Sequence, residues 1–523
     1  MSDPTQRELE LDIGAVLVPE VRVAGTIASP SEISPPDDYL RRFPPAGVVV
    51  FGRTPAGAVS PVRMLQALRA KMRAQGDAEP FACCDLEQGA GLHFPEGTRL
   101  PPALALAAAA LGTRSKERGA DLLRSAGELT AREARALGIE LVLAPVADVN
   151  TARDNPIIAV RSFSEEPLRA GHMARAWLEG LHAGGAAGCA KHFPGHGDTS
   201  QDSHIELAKV ARDVNGLREI ELVPFRELCG AGVDTVMVGH LDVPALTGER
   251  GLPATLSARA IQGVLRGELG FRGTVLSDAM NMGALAREPW RDARAIAAGC
   301  DGLLCPLDPV ASAKELLQAV ADGVLERERL ARAAAAMRAL RDRSRATRAP
   351  DRFVHVPLDP RASPEARASF ATDLAAASLV ESPAKWPWKR GKPCEIGLSE
   401  PETPTAEARR QIALLREALA HDATPAGVVL PVICEVRAFQ GGYGLSETEL
   451  AGLLARIAEL RRLGWPVGVI WFGSPQTVPR RLWEDESLAI LLAHAPTPPM
   501  FAAVRGWLEG RLAAGGSLPA SLG

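Results

Sequence analysis

Short apolar runs alternate with longer amphipathic stretches from residue 13 to residue 305. The runs Ile13–Val18, Ala46–Phe51, Pro80–Asp85, Ile139–Pro145, Ala186–Ala190, Val233–Val238, Gly273–Ser277 and Gly302–Cys305 read as strands. Between them the apolar positions change period. Val62, Leu65, Leu68 and Met72 recur at helical spacing in a segment that ends near Gly76, and Ser115–Leu137 and Leu168–Ala183 read as further helices. Short, mostly apolar strands separated by helices imply parallel pairing with both sheet faces covered. Seven or eight such units suit a (β/α)8 barrel, with a doubly wound sheet as the alternative. Most of the strands end in a polar residue: Arg53, Asp85, Asp148, Lys191, His240 and Asp278. A barrel gathers those ends on one rim, whereas an open sheet spreads them along a line.

An alanine- and arginine-rich helical region, about Ala311 to Arg343, closes the first unit, and Arg345–Arg352 has linker composition. Beyond it, Ala426–Cys434 and Val467–Phe472 read as strands. Leu374–Val380, Glu447–Leu463 and Pro499–Leu512 read as helices. The expected organisation is a TIM-like (β/α)8 barrel over 1–345, a linker over 346–361 and a smaller, sandwich-like α/β domain over 362–523. The smaller domain shows no catalytic cluster.

A chain of 523 residues is too long for one ordinary core, which agrees with two domains. The net charge of −4 argues against nucleic-acid binding through bulk charge. The first ten residues lack the basic-then-apolar pattern of a secretory signal, and no apolar run reaches the roughly 18 residues of a membrane span. A cytoplasmic protein with neither a nucleic-acid nor a membrane partner is expected. None of the eight cysteines forms a C-x-x-C pair, and they read as reduced core residues.

The chemistry concentrates in Lys191-His-Phe-Pro-Gly-His-Gly-Asp-Thr-Ser-Gln-Asp-Ser-His204. This stretch holds three histidines, two aspartates and a lysine just after an apolar run. Proline and glycine are expected to stop the strand and leave these groups on a loop at the strand end, where barrels place their sites. Asn155-Pro-Ile-Ile-Ala-Val-Arg-Ser-Phe163 and Leu276-Ser-Asp-Ala-Met-Asn-Met-Gly283 complete the picture. Together the three stretches resemble family 3 glycoside hydrolases, in particular the bacterial β-N-acetylglucosaminidase branch of peptidoglycan recycling. The resemblance covers about residues 12 to 345 and extends more weakly to the C-terminal domain.

That resemblance implies a retaining mechanism. Asp278 matches the nucleophile. His204 matches the acid/base, with Asp202 as its partner; an imidazole titrates near neutrality, and a carboxylate partner fixes its tautomer. Asp85, Arg161, Lys191 and His192 match groups that hold the sugar. The run Asp85-Leu-Glu-Gln-Gly-Ala-Gly-Leu-His-Phe94 departs from the family pattern: Gln88 replaces a glycine, Ala90 one arginine and His93 another. A bidentate donor to the sugar is thereby lost or replaced by something shorter. The implied partner is a small oligosaccharide or muropeptide, with no cofactor and no metal. The competing readings are a glycoside phosphorylase or β-glucosidase on the same fold, a metal-dependent hydrolase built on His192, His196, His204, Asp198 and Asp202, and a decayed sugar-binding protein.

Overall fold

The computed structural model describes residues 4–23, 33–34, 36–51, 61–95, 97–201, 203, 205–346, 363–397, 406–420, 424–434 and 444–522. Parallel pairing runs in sequence order through the strands Glu20–Val23, Gly47–Val50, Phe81–Cys84, Leu141–Val142, Ala187–Phe193, Thr235–Val238 and Thr274–Ser277. The ring then closes. Leu276 bridges Gly302, and Leu303–Leu304 pairs in parallel with Leu17–Val18, the segment just before Glu20–Val23. The architecture is a TIM-like barrel, as the alternation of strands and helices predicts. Val48, Val49, Ala82, Cys83, Cys84, Leu141, Val142, Cys189 and Val275 are all nearly inaccessible. All eight cysteines are free thiols, and burial pushes Cys189 and Cys300 up to about 12.

Two expectations need correction. Ile13–Val16 is not strand but the last turn of a helix, Pro4–Val16. Buried Asp12 lies between Leu11 and Ile13 and receives Arg327 at 2.5 Å and Arg338 at 2.8 Å, which ties this helix to Arg327–Ala346. The strand starts only at Leu17. The second correction concerns the histidine stretch. Lys191, His192 and Phe193 belong to the strand itself, because Ala147 N donates to Lys191 O at 2.6 Å and Gly239 N to Phe193 O at 2.9 Å. Pairing with one neighbour at Lys191 and with the other at Phe193 carries the strand to Phe193, and Pro194 begins the turn. Arg53 and residues 347–362, which include most of the expected linker, lie outside the described residues.

The smaller unit is a five-stranded sheet in the order Val380–Glu381, Ala489–Leu492, Val467–Phe472, Val428–Ile433, Glu395–Ile396, parallel except for the first pair. Its three central strands, Ala489–Leu492, Val467–Phe472 and Val428–Ile433, are apolar and buried at every position because both faces are covered. Val429, Ile433, Ile470 and Leu491 pack in one apolar cluster and Val428, Leu430, Val469 and Leu492 in another. This unit also packs on the barrel helix Ala103–Leu111, whose Ala105 joins the first cluster and Ala108 the second. Its chain end is tied down as well: Ser517 N donates to Ala108 O at 3.0 Å, and Ser521 N donates to Glu165 Oε1 at 2.9 Å. No helix among the described residues is long and apolar enough to cross a membrane.

Candidate active site

A cavity of about 540 Å³ opens at the C-terminal ends of the barrel strands. Its walls include Asp85, Glu87, His93, Arg161, Lys191, His192, His196, Ser203, Asp278 and Asn281. Asp278 follows directly on the strand Thr274–Ser277 and is half-buried. Its backbone N donates to Val238 O at 2.9 Å, and its Oδ1 accepts from Ala279 N at 2.8 Å. Beneath it the buried His240 places Nε2 3.1 Å from Ala279 O, so this strand-end histidine supports the turn and leaves the cavity to Asp278.

Charged groups fill one wall, and each is paired. Lys191 is 2 % exposed, and its ammonium lies 2.6 Å from Asp85 Oδ1 and 2.7 Å from Glu87 Oε1. Arg161 donates to Glu87 through Nε at 2.8 Å and Nη2 at 2.7 Å, and through Nη1 to Ile157 O at 3.2 Å. Burial alone would make such charges costly, and mutual pairing offsets that cost. Burial also pushes the Glu87 carboxyl upward, but the Arg161 and Lys191 charges outweigh it and hold it well below the usual range. The same carboxylates keep Lys191 and Arg161 charged against their own desolvation. An ammonium has three N–H groups and a guanidinium five, so both cations keep donors for a ligand. Two cations against two carboxylates leave this wall electrically neutral, which suits an uncharged polyhydroxylated ligand.

His192 is oriented from behind. Its Nδ1 lies 2.7 Å from Asp148 Oδ2, while Asp148 Oδ1 accepts from the backbone N of His192 at 3.2 Å and of His196 at 2.7 Å. A carboxylate can only accept, so Nδ1 carries a hydrogen and Nε2 is the remaining polar atom of the ring. His196 has a different task. The Thr199 hydroxyl donates to His196 O at 3.0 Å, so His196 Nδ1 must donate to Thr199 Oγ1 at 2.7 Å. His196 Nε2 then accepts from Ser203 Oγ at 2.9 Å. Burial and the neighbouring His192 push His196 down to about 4, so it stays neutral and anchors Ser203.

The structure thus brings Asp85, His93, Arg161, Lys191, His192 and Asp278 to one cavity. Asp202 and His204, which flank Ser203 in sequence, lie outside the described residues. His93 is half-buried with its ring edge-on to Phe51 at 5.6 Å. Gln88 also lines the cavity, with its Oε1 held by Arg99 at 3.0 Å. Two members escaped the sequence analysis. Glu87 sits inside the very run that departs from the family pattern, and Asp148 stands out there only as a polar strand end. A carboxylate two positions past Asp85 was the available signal for Glu87. Among the described residues no group of three His, Cys, Asp or Glu side chains is placed to hold a metal ion, and both ring nitrogens of His196 are taken by hydroxyls.

Residues 41–340, which span the barrel strands from Gly47 to Leu304, match the glycosyl hydrolase family 3 N-terminal domain. The chain belongs to glycosyl hydrolase family 3. Among family relatives, a β-hexosaminidase of Stenotrophomonas maltophilia is 38 % identical over 288 residues, 54 % of this chain and 82 % of the relative. One from Xanthomonas campestris pv. campestris is 37 % identical over 310 residues, 58 % of this chain and 88 % of the relative. A family 3 β-N-acetylglucosaminidase from Paenibacillus sp. str. FPU-7 superimposes with a TM-score of 0.73 at 26 % identity, covering 98 % of this chain and 99 % of the other. A β-glucoside phosphorylase superimposes with a TM-score of 0.76 at 20 % identity, covering 100 % and 94 %; this likeness concerns the fold. The family 3 barrel and the smaller α/β unit are therefore both found in solved relatives.

Proposed function

We infer that this family 3 chain is a retaining glycosidase that releases terminal β-linked N-acetylglucosamine from muropeptides or related small oligosaccharides. The observation that carries this reading is Asp278, a carboxylate at a barrel strand end on the wall of the cavity that also holds Asp85, Arg161, Lys191 and His192. The β-hexosaminidase names of relatives at 37–38 % identity support the choice of sugar.

In the first step Asp278 attacks the anomeric carbon. The glycosidic C–O bond breaks as the ester bond forms, and His204 gives its proton to the departing oxygen. In the second step His204 takes a proton from water, the hydroxyl adds to the anomeric carbon and the ester bond breaks, which returns Asp278 to its ionised form. Asp202 orients the imidazole and stabilises its charged form. Asp85, Lys191, Arg161 and His192 hold the sugar hydroxyls in place during both steps.

The test is a panel of aryl β-glycosides, N-acetyl-β-glucosaminide included, on wild type and Asp278→Ala. The N-acetylglucosaminide is expected to be the preferred substrate and the variant to lose turnover while keeping its fold. Undiminished turnover by Asp278→Ala would overturn the mechanism, and preference for another sugar would overturn the substrate.

A further inference from the structure

Among the described residues of the smaller unit, Gln476 reaches a barrel loop beside the cavity. Gln476, in the turn Pro475–Thr477 just after the strand Val467–Phe472, is buried against the barrel. Its Oε1 accepts from Asn150 Nδ2 at 2.6 Å and its Nε2 donates to Asn150 O at 3.0 Å, so it grips both the side chain and the backbone of one residue. The same Nε2 also reaches Glu165 Oε2 at 3.0 Å. Asn150 lies two residues beyond Asp148, whose carboxylate fixes the His192 ring and the backbone of His196. The loop that carries Asp148 and Asn150 is laced to the one after His192: Ala152 N donates to Gly197 O at 3.1 Å, and Thr151 Oγ1 to Asp198 Oδ1 at 3.1 Å.

We propose that Gln476 is a positioning residue that acts across the domain boundary, through Asn150 and Asp148, to set the orientation of His192 in the cavity. It touches no substrate. An amide suits the task because it offers a donor and an acceptor at fixed separation, matching the acceptor and donor of Asn150. The proposal rests on the reading that His192 contacts the sugar. A small rotation of a group that holds the reacting sugar costs rate steeply, since a displacement of about 1 Å removes on the order of 100-fold.

The experiment compares wild type, Gln476→Met, Gln476→Asn, Asn150→Ala and the Gln476→Met/Asn150→Ala double variant as full chains. One readout is kcat and KM on 4-nitrophenyl N-acetyl-β-glucosaminide. The other is the low-field imidazole N–H proton of His192, assigned by its loss in His192→Gln. Gln476→Met is expected to shift or broaden that proton and to lower kcat about tenfold or more, with KM changed less. The double variant should lose no more than the worse single one. Gln476→Asn, which keeps the amide on an arm one methylene shorter and adds no charge beside Glu165, should fall between and decides the matter if Gln476→Met does not fold. An unmoved His192 proton, or losses that multiply in the double variant, would overturn the proposal. A wild type inactive on this substrate would instead refute the assigned function, and the His192 proton would still report on the clamp.

Discussion

Replacing Glu87 with glutamine removes one negative charge from a wall where two carboxylates balance Arg161 and Lys191. Three hydrogen bonds converge on that carboxylate, at 2.8 and 2.7 Å from Arg161 and 2.7 Å from Lys191. The amide keeps one acceptor and puts an NH2 group where the other oxygen stood, facing cationic donors. Breaking a buried pair from one side costs about 3–5 kcal/mol. At roughly 1–1.5 °C per kcal/mol for a unit this large, Tm should fall by roughly 3–7 °C. Arg161 also loses the bonds that orient it, so kcat/KM on the aryl N-acetylglucosaminide should fall on the order of 100-fold. The pH dependence carries a sign. The folded-state carboxyl is held below its ordinary value of 4.5. Its contribution is therefore complete above that value and is lost as pH falls through the folded-state value. Thermal melts across a neutral-to-acid series should show wild type and Glu87→Gln far apart at neutral pH and converging in acid. Equal Tm and kcat/KM at neutral pH, or a gap that widens on acidification, would refute the pairing argument.

His204→Ala should slow substrates with poor leaving groups far more than activated aryl glycosides, because only the former need a proton on the departing oxygen; equal losses on both would contradict the acid role. Burial drives the Glu221 carboxyl up to about 7, while Arg212 at 2.9 Å opposes the rise and Asp198 adds to it. The native chain then keeps a proton that the unfolded chain gives up above its value of 4.5, so stability falls as pH rises from 4.5 toward 7. At about 1.4 kcal/mol per pH unit the drop over that range is at most about 3.5 kcal/mol. Melts of Glu221→Gln should be flatter over that range, and an identical slope would remove Glu221 from the account. A Cβ on Gly197 would lie 1.8 Å from Val149 O, whereas one on Gly230 meets nothing within 4 Å. Gly197→Ala should therefore cost about 1–3 kcal/mol in a denaturant melt and depress kcat/KM, with Gly230→Ala as the neutral comparison; equal behaviour of the two would show that the loops are not tightly laced.

The barrel was legible because its strands are buried on both faces, so each reads as an unbroken apolar run closed by a polar end. Asp278 and Lys191 could be placed at such ends without knowing any contact. Partners were harder. Glu87 meets Arg161 across 74 positions and Asp148 meets His192 across 44, and neither distance leaves a periodic trace. The run Ile13–Val18 is apolar whether it ends a helix or begins a strand, and two arginines more than 300 positions away decide the matter at Asp12. The strand through Lys191 and His192 outlasts its own composition, because backbone pairing with two neighbours continues where polar side chains suggest a loop. Gln476 carries no signature at all, since a glutamine in a turn gains meaning only from the carbonyl it reaches.

The helix Ala103–Leu111 has a consequence for how the molecule comes apart. Eight of its nine residues are buried, and it lends side chains to both apolar clusters of the smaller unit although it belongs to the barrel. Losing the smaller half would bare the Ala105 and Ala108 face of a helix that the barrel core still holds through Ala103, Leu106, Ala107 and Ala110. Severing the chain between the two units is therefore expected to trade a folded partner for a sticky apolar strip on the barrel.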